Sequence, residues 1–221
     1  KHGDGSATWH FAPTARISTY ITAVVAGEYH ATYDEYVGKN GTVQLGHVCR
    51  QSMRPHLDVE ELLEITKQGF EFFERIFDYP YPFGKYDQAY VPEYNMGAME
   101  NAGLVTLRDE YLPRSRQTHM FYEARANTVL HELAHMWFGD LVTMKWWDDL
   151  WLNESFAEWA SHHALVEATR YTEAWTGFAN ARKLWAYRQD QLPSTHPIAA
   201  DNFDLEAVEV NFDGITYAKG A

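Results

Sequence analysis

The chain has 221 residues, of which 46% are hydrophobic and 15% aromatic, so it can form a folded core and is not typical of a disordered protein. Its net charge of −13 argues against nucleic-acid binding, which needs a basic surface. Cys49 is the single cysteine, so no intrachain disulfide can form, and we expect a reducing, cytoplasmic location. No apolar run is long enough to cross a membrane, and we expect no membrane segment.

The first third of the chain predicts strands followed by a helix. Residues 15–37 are rich in β-branched and aromatic residues, with Gly27 as a break, and residues 42–49 have the same character. The spacing then changes to the helical period, with apolar side chains every three or four residues. Asp58 and Glu61 have the pattern of a capping box at the start of this helix, and two prolines end it.

The middle of the chain predicts two more strands and a second helix. Residues 86–92 and 102–109 have strand character and flank the segment EYNMGAMEN. Residues 123–138 have helical periodicity, and Gly139 is positioned to be the C-cap of that helix.

A third helix is predicted after a short crossing segment. Asp148 or Asp149 can cap it, and it runs to about Ala168. Beyond this helix the chain is predicted to be mostly helical or irregular. Strands first and helices afterwards indicate an α+β fold.

The segment HELAH indicates a metal site. His131 and His135 are four residues apart, about 40° apart on one face of a helix, so both imidazoles can bind one cation. Glu132 would flank that cation and could take a proton from a water there. By itself, the pattern fits ordinary polar residues on a helix equally well. Glu154 follows after eighteen residues on the next predicted helix, which can return it as the third ligand of a hydrolytic His₂Glu zinc site.

Three separate segments carry a resemblance to a known family. The first is GAMEN (Gly97–Asn101), the second is HELAH with the glutamate at position 154, and the third is ITYAKGA (Ile215–Ala221). They resemble, in this order, the exopeptidase motif, the zinc signature and the catalytic-tyrosine segment of the aminopeptidase N family of zinc metallopeptidases, in the gluzincin group. The resemblance covers essentially the whole chain.

The resemblance implies a role for each matching residue. It implies one Zn²⁺ per chain, Glu132 as the catalytic base, and Tyr217 as the hydrogen-bond donor to the oxyanion. Glu100 would bind the free α-amino group of a peptide, because a buried carboxylate demands a paired cation. The other residues implied to contact the substrate are Met96, Gly97, Ala98 and Met99.

The resemblance also implies a domain organisation. Residues 31–221 would form a thermolysin-like catalytic domain, shortened at its C-terminal end. Residues 1–30 would be the last strands of a preceding β-rich domain. The expected partners are therefore the remaining domains of a full-length protein, together with peptide substrates that have a free N-terminus.

These residues predict a zinc-dependent aminopeptidase, which removes the N-terminal residue of a peptide with a metal-activated water. Two alternative enzymes share the metal site, namely a zinc endopeptidase and a bifunctional epoxide hydrolase and aminopeptidase of the same family. A catalytically silent binding domain is a third alternative. The intact set of site residues argues against a silent domain, and its members are His131, Glu132, His135, Glu154 and Tyr217.

Overall fold

A computed structural model describes all residues from Lys1 to Ala221 as a mixed α/β fold. The strands are Tyr29–Gly38 (β1), Gly41–Arg50 (β2), Lys85–Val91 (β3), Ala98–Met99 (β4) and Leu104–Arg108 (β5). They form one sheet in the order β1-β2-β3-β5-β4. The pairs β1–β2 and β4–β5 are antiparallel, whereas β2–β3 and β3–β5 are parallel.

Six α-helices accompany the sheet. They span Val59–Ile76 (α1), His119–His135 (α2), Trp151–Ala168 (α3), Ala174–Gly177 (α4), Leu184–Asp190 (α5) and Leu205–Val210 (α6). Two π-helical segments cover Phe178–Lys183 and Ile215–Lys219, and 3₁₀ turns cover Thr19–Ile21, Gln51–His56, Asp109–Tyr111 and Trp147–Asp149. No helix of the chain combines the length and the hydropathy needed to span a membrane.

The strand predictions are confirmed for β2, β3 and β5, but the prediction for residues 15–37 is only half right. Residues 15–28 contain no strand, and β1 begins at Tyr29. Gly27, with φ +149, ends this irregular stretch. The backbone of Ile21 bonds to a loop instead of a strand, since its carbonyl accepts from the amide of Ala102 at 3.1 Å. The predicted domain division at residue 30 stays a prediction.

The three long helices are confirmed, but the predicted capping box of α1 is wrong. Asp58 occupies the N-cap position, yet its side chain bonds to no backbone amide of the helix. Its carboxylate instead accepts a hydrogen bond from Nη2 of Arg125 at 2.7 Å. Arg125 on α2 is only 1% exposed, and a buried guanidinium needs a counter-charge more than the helix needs a cap.

The ends of α2 also differ from the prediction. The helix begins at His119, four residues earlier than predicted, and Oγ1 of Thr118 caps it by accepting from the amide of Phe121 at 3.3 Å. It ends at His135, so Gly139 is not its C-cap. Gly139 nevertheless has a positive φ of +135 in the turn that follows.

Neither predicted cap of α3 is a cap. Asp148 and Asp149 lie in the 3₁₀ turn that precedes the helix. The Asp148 carboxylate accepts from the amide of Asn202 at 2.9 Å, and that of Asp149 accepts from the indole Nε1 of Trp151 at 3.1 Å. These aspartates therefore connect the start of α3 to Asn202 and Trp151 through hydrogen bonds.

The core holds α2 firmly against α1. Gly69 on α1 faces Leu130 on α2, and a Cβ added at Gly69 would lie 2.5 Å from Cδ2 of Leu130. The glycine thus lets the two helices approach closely. Because Leu130 and Leu133 are fully buried there, the face of α2 that carries His131 is fixed in its orientation.

Candidate active site

Three side chains converge with the geometry of a metal site. The Nε2 atoms of His131 and His135 are 3.1 Å apart. Oε2 of Glu154 lies 3.3 Å from Nε2 of His131 and 3.4 Å from Nε2 of His135. Zinc bonds of about 2.0–2.1 Å give a tetrahedron with edges of roughly 3.3–3.4 Å. The three donor atoms therefore fit three corners of such a tetrahedron and leave the fourth corner open.

The register between α2 and α3 produces this convergence. Asn127 and Ser161 exchange two hydrogen bonds, with Ser161 Oγ donating at 3.0 Å and Asn127 Nδ2 donating at 3.2 Å. Because residue 127 precedes His131 while Ser161 follows Glu154, the two helices run antiparallel. One fixed contact thus brings Glu154 over the histidine face of α2.

The turn after α2 fixes the orientation of His135. Its Nδ1 lies 3.0 Å from the carbonyl oxygen of Phe138. A carbonyl can only accept, so Nδ1 carries the hydrogen and Nε2 offers its lone pair to the metal position. A Cβ at Gly139 would lie 3.0 Å from Nδ1 of His135. Gly139 therefore leaves room for this ring.

Carboxylates crowd the space around the three donors. Glu100, Glu132 and Asp140 are all buried, and Oε2 of Glu132 and both carboxylate oxygens of Asp140 have no hydrogen-bond partner in the protein. Burial raises the pKa of Glu132 well above its usual value, and the charge of Glu100 raises it further. Burial likewise raises the pKa of Asp140 to about 9. Such a cluster strongly favours a bound cation.

The charges within the donor set also fit a divalent metal. Burial opposes the charge on His135, but Glu100 and Glu154 outweigh burial and raise the pKa of His135 well above its usual value. Burial also opposes ionisation of Glu154, but His135 and His131 lower its pKa to about 2. The site therefore keeps one ionised carboxylate and a position for positive charge, which a metal ion can occupy in place of a proton.

The GAMEN segment lies on the edge of the sheet. Ala98 and Met99 form β4, where they pair with Leu107 and Thr106 of β5. The other side of β4 has no strand, so it can accept an extended peptide. Glu100 follows directly, and its carboxylate lies in a group with Glu132 and His135 whose ligand atoms are all within 4.8 Å of one another.

Tyr217 lies next to the donor set. It belongs to the π-helical segment Ile215–Lys219, and its ring lies 6.0 Å from that of His131 at an interplanar angle of 16°. Burial raises the pKa of Tyr217 well above its usual value, and the charges of Glu154 and Glu100 add to this. The phenol therefore stays protonated and can donate a hydrogen bond.

A cavity of about 930 Å³ opens beside these residues. Its wall includes six of the predicted site residues, which are Met96, Gly97, Ala98, His131, Glu132 and Tyr217. The other four predicted site residues do not line the cavity, and they are Met99, Glu100, His135 and Glu154. The structure therefore brings the three motifs together around one cavity, although they are far apart in the sequence.

Sequence reasoning missed several residues at the site. Tyr20 reaches it from the N-terminal segment, where its hydroxyl accepts from Nδ2 of Asn153 at 3.5 Å and its ring lies 5.4 Å from that of Trp147. Glu158 and Arg182 form an ion pair in the cavity wall. No spacing pattern in the sequence singles out these residues, because each acts through a contact with a distant segment.

Comparison with known proteins gives the family. The profile of the Peptidase family M1 domain matches residues 61–221. The chain is 60% identical over 215 residues to an aminopeptidase N from Streptomyces lividans, an alignment that covers 96% of this chain and 25% of that protein. It is 36% identical to a leucyl aminopeptidase from Saccharolobus solfataricus, with coverage of 100% and 28%.

A further relative has a different description. The chain is 36% identical to the tricorn protease-interacting factor F2 of Thermoplasma acidophilum, with 96% of this chain and 26% of that protein covered. The chain thus spans about a quarter of the length of the curated relatives it matches. Since the family profile covers most of the chain, and covers all three motifs, the chain belongs to the M1 family of peptidases.

Proposed function

We propose that the chain is the catalytic part of a zinc aminopeptidase with a thermolysin-like fold and one zinc ion. The M1 family is zinc-dependent, and the donor set of His131, His135 and Glu154 fits that metal. The observation that carries the proposal is the position of Glu100, a buried carboxylate at the end of the edge strand and beside the donor set. The remaining domains of a full-length protein complete the substrate site.

The proposed chemistry depends on Glu132. When bound, zinc supplies Lewis acidity, which polarises the peptide carbonyl and makes water a stronger acid. Oε2 of Glu132, which has no other partner in the protein, takes the proton of the attacking water and then passes it to the leaving amine. A carboxylate works as a base near neutral pH, so it can both accept this proton and release it.

Glu100 and β4 together hold the substrate. The α-ammonium of the peptide binds the Glu100 carboxylate, while the peptide backbone pairs with Ala98 and Met99 along the open edge. A peptide with a blocked N-terminus would leave Glu100 buried without a cation, which is costly. The same contact therefore fixes the position of the reacting carbonyl, which belongs to the first residue of the peptide.

The proposal predicts a preference for free amines, which can be tested in the full-length protein. We expect stoichiometric zinc by elemental analysis and hydrolysis of an aminoacyl-anilide. A peptide with a free N-terminus should have a kcat/KM more than about a hundredfold that of its N-acetylated form. Glu100→Gln should remove most of this difference, whereas Glu110→Gln, on an exposed side chain, should not.

Other outcomes of that experiment would point to the alternative functions. Equal rates for the free and the acetylated peptide would contradict the role of Glu100 and favour a zinc endopeptidase. Zinc binding without any hydrolysis would favour a binding domain. Hydrolysis of an epoxide substrate in addition to the anilide would indicate the bifunctional enzyme.

Replacing Tyr217 by phenylalanine tests the oxyanion donor. The loss of one such donor costs about 3–4 kcal/mol, so kcat should fall roughly 10²–10³-fold while KM and zinc content change little. Steady-state kinetics with the anilide and elemental analysis check this. Tyr187→Phe, on an exposed tyrosine of α5, is the matched control. A fall in kcat of less than threefold in Tyr217→Phe would exclude the assigned role.

A further inference from the structure

An ion pair in the cavity wall, with a buried carboxylate, lies beside the donor set. Glu158 is one turn beyond Glu154 on α3, and its side chain is only 3% exposed. Arg182 reaches it from the π-helical segment Phe178–Lys183, with Nε donating to Oε1 at 2.8 Å and Nη2 donating to Oε2 at 2.7 Å. Two parallel charge-assisted hydrogen bonds of this kind fix both partners in one geometry.

The Glu158 carboxylate also faces the outer nitrogen of His131. Oε2 of Glu158 lies 3.7 Å from Nδ1 of His131, and no protein atom forms a hydrogen bond with that nitrogen. The inner nitrogen, Nε2, is directed at Glu154 and His135. A histidine that binds a metal through one nitrogen is oriented by the acceptor of the hydrogen on the other.

We propose that Glu158, held by Arg182, is a positioning residue for His131, an inference that rests on the proposed zinc function. The carboxylate selects the tautomer with hydrogen on Nδ1 and turns the ring so that Nε2 points at the metal position. The two hydrogen bonds from Arg182 hold the Glu158 carboxylate in the place from which it faces His131. Both members of the pair are therefore needed for this orientation.

The same pair reaches the catalytic tyrosine. The guanidinium carbon of Arg182 lies 5.9 Å from the centre of the Tyr217 ring, within the range of a cation–π contact. The next residue, Lys183, donates from Nζ to the carbonyls of Ala218 and Lys219 at 2.7 and 3.2 Å. One π-helical turn thus connects His131, through Glu158, with the segment that carries Tyr217, and such turns are frequent at functional sites.

The test compares metal binding in Glu158→Gln and wild type, in the full-length protein. Glutamine keeps the size of the side chain but loses the charge that orients the imidazole. We expect zinc affinity, measured by competition with a chelator, to fall about 10–100-fold. The visible spectrum of the cobalt-substituted protein should change, and kcat should fall more than KM rises. If Glu158 had only a structural role, the zinc affinity, the cobalt spectrum and the kinetic constants of the folded variant would not change.

Two further variants keep the inference falsifiable. Glu61→Gln breaks a similar bond, in which Nη2 of Arg170 contacts both Glu61 oxygens at 2.6 and 2.7 Å. Neither residue lines the cavity, so this variant should leave zinc affinity unchanged. Arg182→Lys keeps the charge but loses the double contact. It should lower zinc affinity less than Glu158→Gln does. If Glu158→Gln does not fold, the zinc affinity of Arg182→Lys alone tests the inference.

The outcomes for this inference differ from those for the proposed function. Unchanged zinc affinity and an unchanged cobalt spectrum in both folded variants would overturn the role of Glu158. A wild-type protein that binds zinc but hydrolyses no anilide would overturn the proposed function and leave the metal-binding comparison intact. A loss of affinity in Glu61→Gln as large as in Glu158→Gln would assign the effect to global destabilisation, which also overturns the inference.

Discussion

Replacing Glu132 by glutamine is expected to lower kcat of the full-length protein by roughly 10²–10⁴-fold, the range that general acid–base catalysis contributes. Glutamine has nearly the same shape but cannot accept a proton. Because Glu132 is not one of the three converging donors, zinc content should stay at the wild-type value. Steady-state kinetics with an aminoacyl-anilide and elemental analysis of the same preparation measure the two quantities.

Glu64→Gln is a suitable control for this variant, because Glu64 is exposed on α1 and does not line the cavity. It should be as active as the wild type. Near-normal activity in Glu132→Gln would contradict the assignment of this carboxylate as the base. A loss of zinc together with activity would instead indicate that Glu132 helps to hold the metal.

Replacing Glu154 by alanine is expected to lower the zinc content itself, unlike Glu132→Gln, and the loss of activity should follow from the loss of metal. The substitution removes one of three donors and the only ionised carboxylate among them, and two imidazoles alone do not complete a zinc site. After dialysis, zinc should fall well below stoichiometric amounts, and activity should fall with it. Excess zinc should restore little activity.

The matched control lies on the same helix. Glu167→Ala removes an exposed carboxylate near the C-terminal end of α3 and should leave both zinc content and activity unchanged. Retention of stoichiometric zinc in Glu154→Ala would show that the third ligand is another residue. Glu100 would then be the nearest alternative, since it shares a second group of converging ligand atoms with His135.

The convergence of His131, His135 and Glu154 could be predicted from the sequence because its geometry is local. Two histidines four apart on a helix must share a face, and a short crossing after α2 brings Glu154 back to that face. The positioning pair could not be predicted, because Glu158 and Arg182 belong to separate segments and meet only in the folded chain.

The errors at helix ends have a similar cause. Asp58 is a good N-cap residue by local rules, but a buried arginine from another helix takes its carboxylate. The strand prediction for residues 15–28 was wrong because β-branched and aromatic residues there form contacts with distant segments instead of pairing in the sheet. Tyr20, which bonds to Asn153 beside the donor set, is such a case.

The short length of β4 affects how a peptide substrate would be positioned along the edge of the sheet. An edge of two residues offers few backbone hydrogen bonds, so it cannot by itself hold a long peptide tightly. In the proposed enzyme it would set the register, because a slip of one residue would turn every substrate side chain to the other face of the sheet. In the proposed aminopeptidase, Glu100 would stop the peptide at its amine, immediately past the end of this strand. The charge of Glu100 and the pairing with β4 would together fix which peptide bond lies at the donor set. In the proposed enzyme, each catalytic cycle would therefore release a single amino acid.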